Sequence, residues 1–390
     1  MVEPPIQNVR ARDIGIPLSG RTGKNNCITD VPGVEVGYCT VVVGDLDDYV
    51  ADQSLFVRSG VTAILPRGKQ RSTVVAGRHS LCGNGELTGT HYIDDYGQFS
   101  GPVMLTNTYS VGVVRDAAYE WLVRHDLIDE FTLSGARVPG ATVMYPVTGE
   151  TWDGMINNGR GFHIQKEHAF HALDNAATGP VAEGNVGGGT GLQTHLFKGG
   201  SGSASRVLED SEGGYTLGVF VQANHGSRDR FMIKGVPVGR LVVDCDPILN
   251  GILPGGGLSP KPGTGSIVVV LATDAPLTAE QIGKLCKRVP IGIGLLGGGT
   301  EDGSGDIFLG FSVAHSNAEL TKAADVQCRN CLPHELLDPL YHAVVDATEE
   351  AILNAVVAAK TMIGINGNTL YALPHDQLRQ ILKDHARLVE

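Results

Sequence analysis

Glycine is the feature that most constrains how this chain can fold. The 390 residues include 53 glycines, about twice the usual fraction of roughly 7%. Because glycine lacks a Cβ atom, it tolerates positive φ angles and lets backbone segments approach closely, so many segments here must turn tightly or pack against one another. No repeat of fixed period is present, and neither a solenoid nor a propeller is therefore indicated.

Short β-rich runs are interspersed with helical patterns. The predicted strands are Val61–Leu65, Pro102–Thr106, Thr142–Val147, Thr216–Gln222, Arg240–Val243, Ser266–Thr273 and Ile307–Val313. The predicted helices are Val111–Arg124, Thr278–Arg288, Pro339–Lys360 and a final amphipathic segment, Asp376–Val389. The second helix opens with T-A-E-Q, which is typical of a helix start. The mixture predicts an α/β or α+β fold, with buried sheets covered by helices.

Composition and charge narrow the class of partner. Hydrophobic residues make up 42% and charged residues 18%, below the roughly 25% charged residues of typical soluble domains, which indicates surface buried between subunits of a homo-oligomer. The net charge is −12 without any Lys/Arg cluster, so nucleic acid is not an expected partner. No apolar run approaches the roughly 20 residues that span a bilayer, and a soluble, cytoplasmic protein is predicted.

Cysteine and glycine motifs give no sign of a metal or cofactor. The seven cysteines are widely spaced, as in a reducing compartment. Cys328 and Cys331 form a lone C-x-x-C, which is interpreted as two ordinary cysteines. The run Gly184–Gly191 does not follow an apolar strand, so a dinucleotide site is not predicted. G-x-S-x-G, H-E-x-x-H and Walker A motifs are also missing.

One break in composition lies next to a candidate nucleophile. Segment Asn250–Gly265 is dominated by Gly and Pro and runs directly into the apolar strand that begins at Ser266. By itself this pattern favours an ordinary loop feeding a strand. If the Gly265–Ser266 bond were cleaved, however, the new α-amino group, with an ordinary pKa of about 7.7–8.0, could serve as the base for the Ser266 hydroxyl. A second glycine-rich cluster places Ser304 and Asp306 two residues apart, so in an extended segment their side chains point the same way.

Several segments, in order along the chain, carry a resemblance to a known family. They include NCITDVPGVEVGY, GNGELTGT, TNTYSVGVVRDAAYEWL, GPVAEGNVGGGTG, VQANHGSRD, GSIVVVLATDAPL and GSGDIFLGFS. Together they resemble the L-aminopeptidase/D-Ala-esterase/amidase family, and the resemblance spans nearly the whole chain. This family of self-processing hydrolases also contains β-peptidyl aminopeptidases and nylon-oligomer hydrolases.

The resemblance implies both an architecture and an activity. It implies a single domain over residues 1–390, built as a four-layer αββα sandwich like that of N-terminal-nucleophile hydrolases but with its own topology. Self-cleavage would divide it into residues 1–265 and 266–390, assembled as tetramers or larger oligomers. The implied activity is that of a serine aminopeptidase for short peptides, amides or esters with a free amine, including β-amino-acid peptides.

Three alternatives to this activity remain open at this point. One is a nylon-oligomer type of amide hydrolysis, and another is an acyltransferase of the ornithine-acetyltransferase kind, although those enzymes use threonine. The third is a non-catalytic binding protein that retains the fold.

The resemblance also implies roles for individual residues. Ser266 matches the nucleophile and Gly265 the residue before the cut, while Ser304 and Asp306 match the pair that supports the nucleophile. Asn224 matches the oxyanion-hole residue, and its amide can donate to a negatively charged oxygen. Outside the family it would be interpreted as a strand-end asparagine that bonds to its own turn.

Three further residues bear on substrate recognition. Glu150 matches a family glutamate near the substrate amine, although a lone glutamate beside a turn is more often a solvated surface charge. Trp152 stands where the aminopeptidase/esterase branch has tyrosine, and its indole can donate but not accept a hydrogen bond. His225 adjoins Asn224 but is interpreted as a local structural residue, as Tyr119 and Trp121 are interpreted as core or interface residues.

Overall fold

The structure is a computed structural model that describes residues 9–44, 56–128, 132–133, 136–137, 145–250, 263–317, 320 and 330–389. The strands are β1 Glu35–Val43, β2 Val57–Leu65, β3 Thr73–Gly83, β4 Gln98–Ser100, β5 Val103–Asn107, β6 Thr132–Leu133, β7 Ala136–Arg137, β8 Val147–Thr151, β9 Gln193–Thr194, β10 Phe197–Lys198, β11 Gly200–Val207, β12 Thr216–Gly226, β13 Gly263–Thr273, β14 Gly305–Ser312, β15 Met362–Ile363 and β16 Thr369–Leu370. The helices are α1 Ala11–Ile14, α2 Thr90–Tyr96, α3 Val111–Arg124, α4 Lys166–Asp174, α5 Val238–Leu241, α6 Ala279–Cys286, α7 Val289–Leu295, α8 Asp338–Val357 and α9 His375–Asp384.

Two large sheets form the centre of the molecule. The first sheet has the order β1-β2-β5-β8, and the second has the order β11-β12-β13-β14-β3-β4. Neighbouring strands are antiparallel except for the pairs β5–β8 and β13–β14, which are parallel. Strand β13, which carries Ser266, therefore lies near the middle of the larger sheet between β12 and β14.

Three apolar clusters separate four layers. One cluster packs the first sheet against α3 and α4 and includes the buried Trp121. Another lies between the two sheets, and the largest packs the second sheet against α6, α7 and α8. The order of layers is thus helix, sheet, sheet, helix, and the predicted αββα architecture is confirmed.

Glycine and serine explain why one strand at the edge of the larger sheet, β11, was not predicted. Strand β11 has the sequence GSGSASRV, which shows no apolar alternation, yet seven of its eight residues are buried. A Cβ atom on Gly202 would lie 2.1 Å from the carbonyl oxygen of Ala351 in α8. Small residues here let the long helix pack directly on the sheet backbone, which hydrophobic periodicity does not reveal.

Most predicted elements are found, but one assignment was wrong. Helix α3 has the predicted bounds, and Thr278 caps α6 by accepting a hydrogen bond from the Gln281 amide at 3.2 Å. The predicted strand Arg240–Val243 instead overlaps helix α5, which follows the turn-forming Pro237. Of the predicted strand at residues 142–147, residues 142–144 lie outside the described part of the chain, and Val147 begins β8.

Further observations concern membrane-spanning helices, the C-x-x-C motif and the segment before Ser266. Within the described residues, no helix combines the length and apolar character needed to cross a membrane. Of the C-x-x-C pair, Cys328 lies outside the described residues and Cys331 is an exposed free cysteine. Most of the Gly/Pro-rich segment that precedes Ser266, residues 251–262, is likewise outside them.

Candidate active site

Ser266 and Asn224 lie side by side on adjacent strands. In the antiparallel pairing of β12 with β13, Asn224 is directly opposite Ser266. Directly opposed residues share a face, and alternation puts both on the side of Phe220 and Val268, which pack between the sheets. Their relative exposures are 3% and 5%. The two side chains therefore face the first sheet from a largely buried position.

The Asn224 amide is held in one orientation. Its Oδ1 accepts a hydrogen bond from the Gln193 backbone amide at 3.1 Å, and its Nδ2 donates to the Trp152 carbonyl at 2.8 Å. A side-chain NH2 group carries two hydrogens. One is committed to Trp152, and the hydrogen bonds of the described residues leave the other available to a ligand.

Glycines keep the backbone close on both sides of Ser266. A Cβ atom on Gly265 would lie 2.0 Å from the Asn224 carbonyl oxygen. A Cβ atom on Gly305, the neighbour of Ser266 in β14, would lie 3.0 Å from Ser266 Oγ. Side chains at these two positions would push the strands apart or crowd the hydroxyl, so glycine at both positions keeps the strands close and the hydroxyl uncrowded.

The Ser304–Asp306 pair contacts the peptide bond that follows Ser266. Ser304 Oγ donates to Asp306 Oδ1 at 2.6 Å, and the Asp306 carboxylate also accepts from the backbone amide of Ile267. Burial raises the pKa of Asp306, and these hydrogen bonds oppose that rise. Alternation places Asp306 on the face of Phe308, towards the helix layer. The pair thus approaches Ser266 through its backbone, from the opposite face of the sheet to the Ser266 hydroxyl.

Glu150 projects from the end of β8 in the first sheet. Its Oε1 accepts from the Glu86 amide at 3.1 Å, and its Oε2 accepts from the Thr108 hydroxyl. A Cβ atom on Gly85 would lie 3.1 Å from Glu150 Oε1 and 3.7 Å from the Cα of Gly305. The carboxylate therefore approaches the start of β14, the strand beside Ser266.

Glu150 is 4% exposed, and burial raises the pKa of its carboxylate, while hydrogen bonds from Thr108 and Glu86 partly oppose the rise. In the described part of the chain, no lysine or arginine forms an ion pair with it. A buried carboxylate that lacks a cation is poised to take one from a ligand.

Trp152 contributes its main chain to the site. Its carbonyl oxygen accepts from Asn224, while its partly buried indole covers Gly154 and packs with Met155, Ile156 and Leu370. A substitution of the indole would therefore change packing beside the site and leave the Asn224 hydrogen bond chemically available.

His225 points away from Asn224. Alternation places it on the helix-facing side of β12, where its ring is 5.4 Å from that of His195. Burial, and to a smaller extent His195, lowers its pKa well below the ordinary value. It is therefore neutral near pH 7.

Three residues near the site were missed by the sequence reasoning. Gln193 and Thr108 act through contacts between distant segments, which no local motif signals. Asp153 follows Trp152 directly and is 3% exposed, and burial raises its pKa to about 6. Its position beside Glu150 and Trp152 was the only local signal available. Among the described residues, no three His, Cys, Asp or Glu side chains are grouped to hold a metal ion.

Comparison with known proteins assigns the family. The sequence model described as Peptidase family S58 matches residues 26–370. The chain belongs to peptidase family S58. Among similar proteins, "Beta-peptidyl aminopeptidase BapA" of Sphingosinicella microcystinivorans is 46% identical over 383 residues, covering 97% of this chain and 93% of the relative. The protein of the same name from Sphingosinicella xenopeptidilytica is 42% identical over 379 residues, with 96% and 91% covered.

Solved structures extend the comparison to the fold. The L-aminopeptidase D-Ala-esterase/amidase of Ochrobactrum anthropi, described as a prototype serine aminopeptidase and a variant of the Ntn hydrolase fold, matches with a TM-score of 0.83 and 41% identity, covering 97% of this chain and 99% of that one. A Burkholderia sp. β-aminopeptidase matches with a TM-score of 0.81 and 38% identity, covering 96% and 99%. The predicted family, fold and enzyme class are confirmed: this S58 member is an aminopeptidase.

Proposed function

We propose that this protein cleaves itself between Gly265 and Ser266 and then uses Ser266 to remove the N-terminal residue from short peptides, amides or esters. The observation that carries the proposal is the pairing of Ser266 with Asn224 across adjacent strands, on the face turned towards the sheet that bears Glu150. A nucleophile, an oxyanion donor and an ammonium anchor then surround one space. The single domain of residues 1–390 becomes two associated subunits, residues 1–265 and 266–390.

The proposed mechanism uses the new α-amino group as the base. Scission of the Gly265–Ser266 bond frees an amine whose ordinary pKa is about 7.7–8.0, so a substantial fraction is unprotonated near neutral pH. The Ser266 hydroxyl attacks the substrate carbonyl and gives its proton to this amine. The amine then protonates the leaving group, and water releases the acyl-enzyme by the reverse transfer.

Asn224 and Asp306 have different parts in this mechanism. The free N–H of Asn224 donates to the oxygen that becomes negative in the tetrahedral intermediate. Asp306 holds the amide of Ile267 and is itself bonded by Ser304. The Ser304–Asp306 pair thereby fixes the backbone of the nucleophile and limits the positions its amine can take.

The proposed substrates include peptides that begin with a β-amino acid. Two relatives, 46% and 42% identical, are named β-peptidyl aminopeptidases. In a β-amino acid the amine is one carbon farther from the scissile carbonyl, and Glu150 approaches from the opposite sheet to meet it. Trp152, where a tyrosine is expected from the aminopeptidase/esterase branch, packs beside this space, which supports a preference that differs from that branch.

Intact mass and N-terminal sequencing of the purified protein test this function, together with rates on matched α- and β-dipeptide amides. The expected result is two chains, residues 1–265 and 266–390, the second beginning Ser-Ile-Val-Val, with release of N-terminal β-residues. Fully active protein with the Gly265–Ser266 bond intact would overturn the proposal. If acyl transfer to an added amine exceeded hydrolysis, the acyltransferase alternative would be favoured instead. A preference for aminohexanoate oligomers would favour the nylon-oligomer type of amide hydrolysis.

Replacing Glu150 with glutamine is expected to raise KM about 100-fold, because removing one partner of a buried charge pair costs about 2–5 kcal/mol, whereas kcat changes less. Only the ionised carboxylate attracts the substrate ammonium. Since burial raises the pKa of Glu150, wild-type KM should start to rise on acidification at a higher pH than an ordinary glutamate would give. The E150Q variant should not show this rise in KM on acidification.

Glu86 provides the matched control for this prediction. Its backbone amide, not its side chain, bonds Glu150, and its nearby charge adds to the rise in the Glu150 pKa. E86Q should therefore keep a KM close to that of the wild type. Equal KM values for E150Q and the wild type would contradict an anchoring role.

We also propose a cytoplasmic homo-oligomer of four or more processed units. The low charged fraction of 18% and exposed apolar side chains such as Val123 and Ile291, which are 62% and 52% exposed, support association. Mass measurement in solution tests it, and a monomer at micromolar concentration would contradict it.

A further inference from the structure

A short hairpin contacts the strand end that carries Asn224. Strands β9 and β10 pair antiparallel over Gln193–Thr194 and Phe197–Lys198. Besides the Gln193 amide bonded to Asn224 Oδ1, Thr194 Oγ1 donates to the Ala223 carbonyl at 2.9 Å, and the His195 amide donates to the His225 carbonyl at 2.7 Å. Three consecutive hairpin residues thus hold three consecutive residues of β12, with Asn224 in the middle.

Lys198 closes the base of this hairpin from inside the protein. Its relative exposure is 0%, and Nζ donates to the Leu192 carbonyl at 2.8 Å and to the Gly199 carbonyl at 2.6 Å. These two residues flank the hairpin, and a backbone bond from Gly199 to Leu192 at 3.0 Å also joins them. Within the described chain, no carboxylate forms an ion pair with Lys198.

A buried lysine that bonds only to carbonyl oxygens is suited to the neutral form. Burial lowers the pKa of Lys198 to about 7. A neutral amine has two N–H donors, which match the two carbonyl acceptors, and it avoids most of the cost of burying a charge. The hairpin tip has its own cation, because Arg228 donates to the carbonyls of His195 and Leu196 at 3.1 and 2.7 Å. Lys198 is thus left to hold the base, next to Gln193.

We propose that Lys198 is a positioning residue for the oxyanion site, acting through Gln193 on the orientation of the Asn224 amide. The inference rests on the proposed function of Asn224. An asparagine amide can rotate by 180° and exchange its oxygen and nitrogen. The Gln193 N–H selects the orientation that turns Nδ2 towards the reacting oxygen. If the hairpin base loosens, only the Trp152 carbonyl still selects this orientation, and the Asn224 amide is turned away from the reacting oxygen for a larger share of the time.

A double-mutant cycle in the full-length protein tests this inference, with kcat and KM measured per mole of processed chain. K198M should lower kcat about tenfold or more and leave KM within about twofold. In the N224A background, K198M should have almost no further effect on kcat, because the amide that it orients is gone. Residues that act on one interaction are non-additive in this way, whereas a general loss of stability is not specific to one background.

Two further variants separate positioning from folding. L122A removes a buried side chain from the helix layer beyond the first sheet, so it should lower the melting temperature while keeping kcat. K198Q retains a neutral NH2 donor, and we expect it to fold and to lose less kcat than K198M. If K198M does not fold, the cycle is run with K198Q.

The outcomes distinguish the inference from the proposed function. Wild-type kcat in both Lys198 variants, or losses that multiply fully with that of N224A, would overturn the positioning role while leaving Asn224 as the oxyanion donor. Wild-type kcat in N224A alone would overturn the proposed role of Asn224 and the inference with it.

Discussion

The S266A variant is expected to remain a single chain of 390 residues and to lose kcat by at least about 10⁴-fold. Alanine removes the hydroxyl that would attack both the Gly265 carbonyl and the substrate. Removal of a nucleophile leaves only the contribution of binding and oxyanion stabilisation, which is small by comparison. Gel electrophoresis and intact mass report the scission, and hydrolysis of a β-dipeptide amide reports the activity.

Coexpression of the two subunits as separate chains distinguishes the role of Ser266 in self-cleavage from its role in substrate hydrolysis. Residues 1–265 are coexpressed with a chain that begins at residue 266, so that no scission is required. With serine at the start of the second chain the assembled protein should be active, and with alanine it should be inactive. S266A protein that still splits at the same bond, or an active alanine assembly, would require another nucleophile to be sought.

The N224A variant is expected to lower kcat by about 10²- to 10³-fold with a much smaller change in KM. Loss of one preorganised oxyanion donor typically costs about 3–4 kcal/mol of transition-state stabilisation. The residue is 3% exposed and bonded on both sides of its amide, so alanine also leaves two partners unpaired, and the fold must be checked beside the kinetics. Steady-state kinetics on processed protein, with circular dichroism for the fold, provide the measurement.

Two further variants test whether the Asn224 side chain stabilises negative charge on the substrate oxygen. N224D keeps the shape but puts a carboxylate beside the developing negative charge, so its kcat should fall at least as far as that of N224A. Q222A is a control on the same face of β12. Gln222 bonds Thr106 and Thr151 of the first sheet, and its loss should lower stability more than kcat. An N224D variant with wild-type kcat would exclude an oxyanion contact.

Local patterns predicted the elements that carry strong signals. Helix α3 shows apolar residues at helical spacing. Strand β13 contains an unbroken apolar segment that comes directly after a Gly/Pro-rich run. Strand β11 and the hairpin β9–β10 lack such signals because small or polar residues occupy buried positions, where packing against neighbours compensates for weak propensity. The same limit applies to the predicted strand Arg240–Val243, because its run Leu241–Val243 suits a strand locally, whereas the chain is helical up to Leu241.

The sequence by itself determined the family and, through that resemblance, the expected order of layers and the candidate nucleophile, because the motifs that carry the resemblance are contiguous in the chain. Only the tertiary structure decided which groups meet. It brought Asn224 opposite Ser266, put Asp306 against the Ile267 amide and oriented Asn224 through Gln193. Such contacts join residues that are far apart in the chain. They depend on how neighbouring segments are aligned, including the register of the strands, and no local sequence signal specifies that alignment where glycines are frequent.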